Sequence, residues 1–281
     1  MTSKWLYLAT ALVLLALASM EATAGKARSF GVLNQRSATL TAQQWNPILA
    51  YVSKKANVDL KLKIAKTAPE TTALTVRGEA QFAYTNHLFS PDRVKLGWRV
   101  IARPDTDGIR GLIVVNQDSP IRALTALEGQ AVAFPSAEAF VGYNLTMNAL
   151  LHKGVNVIPL FAGNQEGAIG LLKSGKAAAA GVNEDVMAAF SKREAFHYRV
   201  LWASESFNDL AIMANPNFVP ESTIRAVQQA FVGMRNDAEG KKILAQVAAL
   251  LKTDQSGGFV TASDFDYENY RRFHREKLLK D

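Results

Sequence analysis

The stretch Leu127-Glu128-Gly129-Gln130-Ala131-Val132-Ala133-Phe134-Pro135-Ser136-Ala137-Glu138-Ala139-Phe140-Val141-Gly142-Tyr143-Asn144 decides how the chain is read. Ala131 to Phe134 has the length and composition of a short buried strand. Pro135 ends it, and Ser136 is a good N-cap ahead of the helix formers Ala137, Glu138 and Ala139. A strand that feeds a helix through a tight polar turn leaves backbone N–H groups pointing out of the carboxyl end of its sheet. With a serine hydroxyl beside them, those amides make a site for an anion. The alternative is that Ser136 only caps its own helix.

Outward from this stretch, short apolar runs alternate with amphipathic ones. Ser29 to Leu33 reads as a strand ending in the polar loop Asn34-Gln35-Arg36-Ser37. Trp45, Ile48, Leu49 and Val52 follow helical spacing, with Pro47 near the start of that helix. Val58, Leu60, Leu62 and Ile64 alternate with polar residues as a strand, and Pro69 opens a helix that Gly78 closes. Phe82-Ala83-Tyr84 is a strand with Thr85-Asn86-His87 at its end, and Trp98 to Ala102 is another. A second set comprises Leu112 to Val115, the quoted stretch, Val157 to Phe161, a helix from Gln165 to Lys173, Ala177 to Val182, and Val200 to Ala203. After the strand Ala211-Ile212-Met213 the chain reads as mostly helical, over 220–234, 238–251 and 264–279. This alternation predicts an α/β fold of βαβ units, with mainly parallel sheets flanked by helices.

An internal echo suggests two like halves. Leu74 to Asn86 and Leu171 to Asn183 share a leucine, a glycine four residues on, two alanines and a closing asparagine at matching places. Each copy reads as a helix end, a glycine stop, a strand of small residues, and an asparagine at the strand's carboxyl end. Asn86 and Asn183 are thereby expected at equivalent points of two sheets, facing one gap, where open α/β sheets bind ligands.

The N-terminus carries an address. Lys4 precedes an apolar run from Trp5 to Ala18, too short for a comfortable membrane span, and Ala22-Thr23-Ala24 supplies a small-x-small cleavage pattern. Residues 1–24 are therefore read as a secretory signal peptide. The chain has no cysteine and a formal net charge of +7. No disulfide framework or thiol chemistry is available, which suits a periplasmic protein held by its core alone. The charge favours anionic partners, but no dense Lys/Arg cluster points to nucleic acid.

Several segments now resemble one family. Gly129 to Phe134 with its Pro-Ser turn, Gly175-Lys176-Ala177-Ala178-Ala179-Ala180-Gly181-Val182, Gly78 to Asn86, and Trp45-Asn46-Pro47 together resemble the phosphate/phosphite/phosphonate-binding proteins of ABC transporters. The resemblance implies a two-lobed type 2 periplasmic-binding-protein fold, hinged by two crossing strands near Arg110 to Leu112 and Ser204 to Asn208. Lobe 1 would comprise 25–110 plus 205–281, and lobe 2 would comprise 111–204. The implied function is periplasmic capture of a small anionic or polar solute, of the phosphonate or phosphite class, by cleft closure. A monomer would deliver the solute to an inner-membrane ABC permease. A ligand-binding subunit for a membrane histidine kinase is the alternative.

The resemblance also implies site residues. Tyr84 matches the tyrosine presented from the first lobe, and Ser136 sits in the hydroxyl-rich turn with the N–H groups of Ala137 and Glu138. Asn183 and Asp209 match lining positions, Asn86 follows from the echo, and Arg36 is the nearby cation. Gln165 stands where phosphonate binders place a histidine, and that turn carries one serine here instead of a run of Ser and Thr. Glu138 and Glu166 add negative charge near the presumed site. These departures predict a mono-anionic or neutral polar ligand with little pH dependence between about pH 6 and 8, because an amide cannot contribute the charge of a histidine. The competing reading is an ordinary phosphonate held by Arg36 and the amides.

Enzymatic signals are thin. His87, His152, His197 and His274 share no metal-binding spacing and are expected as surface or loop residues. Neither a GxSxG elbow nor a P-loop occurs. The sequence thus implies a non-enzymatic protein with no metal and no cofactor. The aromatic run Phe265 to Tyr270 is read as helix packing.

Overall fold

A computed structural model describes residues 27–253 and 257–279. The expected signal peptide lies outside the described residues. The first half of the chain order is β1 (Arg28–Val32), α1 (Ala38–Ala56), β2 (Leu60–Lys63), α2 (Ala68–Val76), β3 (Phe82–Thr85), α3 (Pro91–Val94), β4 (Arg99–Pro104), β5 (Gly111–Asn116), β6 (Ala131–Phe134) and α4 (Leu145–His152). There follow β7 (Ile158–Phe161), α5 (Gln165–Lys173), β8 (Ala179–Asn183), α6 (Glu184–Glu194), β9 (Tyr198–Ala203), β10 (Ala211–Ala214), α7 (Glu221–Gly233), α8 (Ala238–Leu251), β11 (Phe259–Thr261) and α9 (Glu268–Glu276).

Two sheets result, with strand orders β11-β4-β10-β3-β1-β2 and β7-β6-β8-β5-β9. The parallel triplet β2-β1-β3 of the first sheet has its counterpart in β7-β6-β8 of the second. In each sheet an antiparallel strand follows, β10 in one and β5 in the other. The sheets are therefore mixed, a correction to the expectation of mainly parallel pairing. β10 and β5 are the strands that begin just after the chain crosses between the sheets, so each enters its sheet from the opposite end and must run antiparallel to its neighbours.

The crossings run side by side. Ile109 and Phe207 form an antiparallel bridge, with N–H to O distances of 2.6 and 2.9 Å in the two directions. Ser204 N–H adds a bond to Gly111 O at 2.9 Å. Phe207 falls within the expected segment Ser204 to Asn208, while Ile109 lies one residue before the expected Arg110 to Leu112.

The two copies of the echo fold alike. Gly78 and Gly175 sit at φ +74° and +73° after α2 and α5. Gly78 N–H bonds Thr75 O while Glu79 N–H bonds Leu74 O, and Gly175 and Lys176 repeat the pattern on Leu172 and Leu171. That pair of bonds closes a helix with its stop residue in the left-handed region, where glycine avoids the Cβ clash.

Two local expectations fail. Pro47 lies inside α1, because Ser37 caps the helix well upstream by accepting from Leu40 N–H. It withholds one helical hydrogen bond, while Trp45, Ile48, Leu49 and Val52 bury the helix face as expected. Ser136 caps nothing: residues 137–138 form a turn, a single π turn spans Phe140–Asn144, and only then does α4 begin. The reason is packing. Cβ atoms built at Gly111 and Gly181 would fall 2.3 Å from Val141 O and 2.4 Å from Gly142 O, so these two bare positions let the segment lie directly on the second sheet. Phe140 meanwhile stacks into Phe207, Tyr270 and Phe273 at centroid distances of 4.1 to 5.2 Å. Helix propensity of a few tenths of a kcal/mol per residue does not outweigh burial of a phenylalanine, worth about 2–3 kcal/mol.

Candidate functional site

The carboxyl ends of β1, β3 and β8 meet at the gap between the sheets. Leu33 N–H extends the β1–β3 ladder to Tyr84 O at 2.9 Å. Beyond it the fully buried Asn34 accepts from Thr71 Oγ1 at 3.1 Å, which anchors the turn presenting Gln35 and Arg36. Arg36 is 8% exposed and its Nε has no hydrogen-bond partner. Burial pulls its guanidinium below the ordinary arginine value, while Glu166, Tyr84 and Asp209 oppose that shift. It stays a cation at neutral pH.

Tyr84 and Asp209 face it. Tyr84 Oη donates to Asp209 Oδ2 at 3.4 Å, and its ring lies 4.6 Å from that of Trp45. Burial raises the Tyr84 hydroxyl well above its usual value and Asp209 adds to the effect, so it remains a neutral donor. Asp209 Oδ1 accepts from Leu210 N–H at 2.6 Å. Burial pushes its carboxyl up to about 6, and Asp185 raises it further. The segment carrying Asp209 is fastened from behind by two buried tyrosines: Tyr267 Oη bonds Asp209 O at 2.6 Å and Tyr270 Oη bonds Asn208 O at 2.5 Å. The aromatic run is thus packing for Tyr267 and Tyr270, whereas Phe265 is exposed.

These groups line a cavity of about 130 Å³ whose polar wall includes Gln35, Arg36, Tyr84, Asp105, Asn183, Asp185 and Asp209. Trp45, Val186, Leu244 and Phe259 supply its apolar wall. Asn183 also caps α6, its Oδ1 accepting from Val186 N–H at 3.1 Å. The arrangement places a buried cation, the carboxylates of Asp105, Asp185 and Asp209, and neutral donors on one cavity wall.

The other sequence-derived candidates fall elsewhere. Asn86, Ser136 and Gln165 line a separate void of about 20 Å³, room for roughly one water. Ser136 is buried there with its Oγ unpartnered. Gln165 Oε1 accepts from Asn183 N–H at 2.9 Å, so that side chain is tied to the end of β8. Ala137 and Glu138 open onto an outer groove with His87 and Arg93. The expectation that Asn86 and Asn183 face one gap is not met: Asn183 ends β8 and reaches the larger cavity, whereas Asn86 follows β3 and does not.

The two glutamates expected to repel an anion are already paired. Glu138 binds Arg93 and lies 3.5 Å from His87 Nδ1; Glu166 lies 2.8 Å from Arg193 Nη2. Burial acts to raise the Glu138 carboxyl, yet the bonds from His87 and Arg93 outweigh it and hold it at about 2. His87 lies in the loop after β3, as expected, but is buried there at 5% exposure. Its Nδ1 lies 2.9 Å from Thr72 Oγ1 and 3.5 Å from Glu138 Oε2, and burial lowers its pKa, so it sits neutral. Among the described residues no group of three His, Asp or Glu side chains is placed to hold a metal ion. Nor is any helix among them long and apolar enough to cross a membrane.

The family model for ABC transporter phosphonate periplasmic substrate-binding proteins matches residues 30–267. The chain belongs to this family. Its members are periplasmic solute-binding components that work with an ABC permease. The fold of this phosphonate-family protein is also that of solved relatives. A phosphonate-transporter binding component from Pseudomonas aeruginosa superposes with TM-score 0.77 at 16% identity, over 88% of this chain and 85% of that one. A Prochlorococcus marinus protein in complex with methylphosphonate gives 0.75 at 18% identity, over 89% and 98%. A Xanthomonas citri protein bound to ATP gives 0.68 at 14%, over 90% and 99%. No curated sequence matches. At these identities the likeness shows the type 2 periplasmic-binding fold, not a ligand.

Several cavity residues of this family member escaped the sequence reading. Gln35 lay in a loop already marked as polar, Asp105 and Thr106 follow β4 in a polar run, and Asp185 stands two residues after Asn183. Position at the carboxyl end of a strand was the available signal for each. The α8 and β11 residues had none, because their approach to the gap depends on tertiary packing.

Proposed function

We propose that this chain captures a small organic oxyanion that also carries an amine, of which 2-aminoethylphosphonate is the type. The carrying observation is the cavity wall: Arg36 is buried with an unpartnered Nε, and the carboxylates of Asp209 and Asp185 line the same cavity. A desolvated guanidinium binds an oxyanion in a fixed fork geometry. The carboxylates suit an ammonium group, with Tyr84 and Asn183 as neutral donors between. The pairing of Glu138 and Glu166 with arginines removes the earlier argument against an anion.

In this reading the parts 25–110 plus 205–281 and 111–204 act as two lobes that close over the ligand. The ligand leaves chemically unchanged and is handed to a permease. The protein works as a periplasmic monomer after loss of residues 1–24, without nucleic acid, metal or cofactor.

Calorimetry with 2-aminoethylphosphonate and methylphosphonate tests the ligand class. The amine-bearing compound is expected to bind about tenfold or more tightly, one charge-assisted contact being worth about 1.5–3 kcal/mol. R36Q should abolish binding of both. Equal or tighter binding of methylphosphonate would overturn the carboxylate half of the assignment.

A further inference from the structure

Bonds join the first-sheet half to the second at several places, among them Lys277 Nζ to Asn144 Oδ1 at 3.5 Å and Leu278 N–H to Asn148 Oδ1 at 2.8 Å. Ala68 N–H at the start of α2 donates to Gly163 O at 3.0 Å, and Glu166 N–H donates to Gln35 O at 3.3 Å. A further crossing is made of side chains. Arg93 on α3 and His87 after β3 belong to the first-sheet half, while Glu138 belongs to the turn after β6 of the second. Both meet the Glu138 carboxylate, Arg93 through Nη2 to Oε1 and His87 through Nδ1 at 3.5 Å from Oε2. Arg93 is itself oriented by donating from Nη1 to His87 O at 2.8 Å.

Behind this contact a hydrogen-bond chain runs back to the Ala68–Gly163 crossing. His87 Nδ1 lies 2.9 Å from Thr72 Oγ1, and Thr72 Oγ1 donates to Ala68 O at 3.1 Å. With the hydroxyl proton on Ala68 O, Thr72 accepts from His87, so Nδ1 carries the proton and also faces Glu138. The side-chain crossing and the Ala68–Gly163 crossing are thus joined through α2. None of Arg93, His87 and Glu138 lines the 130 Å³ cavity. Arg93 and Glu138 remain partly open to solvent, at 25% and 32% side-chain exposure.

We propose that Glu138, Arg93 and His87 form a latch that holds the cleft shut over its ligand. Glu138 and Arg93 are then positioning residues for retention and do not touch the ligand, which reassigns Glu138 from the binding role its sequence position implied. The physics is that of population shift. A ligand that needs the closed form has an apparent dissociation constant raised in inverse proportion to the closed fraction, so a bond present only when closed tightens binding from outside the site.

The inference rests on reading the cleft as a closing ligand site, and its test separates the two. First, small-angle scattering of unliganded wild type, E138Q and R93Q reads closure without any ligand; both variants are expected to have a larger radius of gyration. Second, calorimetry with 2-aminoethylphosphonate should show about tenfold weaker binding in each single variant, a change equivalent to about 1.4 kcal/mol. The double variant should be no worse than either single, because the two remove one shared interaction. The charge swap R93E/E138R should recover part of the radius and affinity, since a carboxylate at position 93 cannot donate to His87 O; a residue acting on the ligand would recover neither. Melting temperatures identify any variant that fails to fold; R93Q, changed at a side chain partly open to solvent, then carries the test alone. Unchanged radius in both E138Q and R93Q overturns the latch whatever the calorimetry shows. If wild type binds neither phosphonate, the ligand assignment falls while the scattering still decides the latch.

Discussion

At the scale of single residues, Asp209 carries the clearest conflict between stability and binding. An acid whose folded-state value rises from the usual 3.8 to about 6 is disfavoured as an anion by the fold. Its contribution to stability is fully present below about pH 4 and is lost as pH rises through about 6. D209N keeps the Leu210 contact without the charge. It is therefore expected to be more stable than wild type above pH 6, by about 1–3 kcal/mol, and no more stable at pH 4. Denaturant melts at the two pH values measure this. The same substitution should weaken 2-aminoethylphosphonate binding at pH 7.5 and remove a loss of affinity that wild type shows between pH 7.5 and 5. Ser136 illustrates the opposite case, a residue whose chemistry was legible but whose setting was not. Its hydroxyl is buried beside a water-sized void and caps no helix.

At the scale of elements, the echo supplies a controlled experiment. Gly78 and Gly175 have the same φ and the same closing bonds. A Cβ at Gly175 would meet nothing within 4 Å, whereas one at Gly78 would meet the Phe218 ring at 3.3 Å. G175A therefore measures the left-handed penalty alone, about 1–2 kcal/mol in thermal or chemical denaturation. G78A should cost the same or slightly more, since Phe218 is a half-exposed side chain able to shift. A cost below about 0.5 kcal/mol at Gly175 would mean that the helix stop is not fixed by its conformation. The stop matters to the site because it sets where β3 and β8 begin, and so where Tyr84 and Asn183 end up.

At the scale of the whole molecule, the proposed closure would turn about the paired crossings, where Ile109 and Phe207 form an antiparallel bridge. A ligand at about a hundred times its dissociation constant stabilises the folded state by roughly 2.7 kcal/mol. For a chain of this size that corresponds to about 5–10 °C in melting temperature. Saturating 2-aminoethylphosphonate should produce such a rise, measured by differential scanning fluorimetry. It should also leave the scattering radius of the E138Q protein close to that of liganded wild type, because the ligand supplies the closing energy that the latch no longer does. An unchanged melting temperature would count against ligand closure.

Local patterning carried much of this protein by itself. Period-two and period-3.6 apolar runs, helix stops at glycine and the Leu-to-Asn echo were enough to place most strands and helices and to pair two like halves, because those signals act within a few residues. The helices Gln165–Lys173 and Ala238–Leu251 have the boundaries that their periodicity predicts. Tertiary structure decided what depends on partners distant in the chain. It set the antiparallel entry of β5 and β10, and it delayed α4 because the bare Gly111 and Gly181 and the aromatic cluster around Phe140 hold the preceding segment. It also distributed the sequence-derived site residues among three places: Arg36, Tyr84, Asn183 and Asp209 on one cavity, Asn86, Ser136 and Gln165 on a small void, and Ala137 and Glu138 outside both. Residue type announces which chemistry is available, but whether a charge faces a ligand or another charge depends on desolvation and on neighbours that only the folded chain brings within reach.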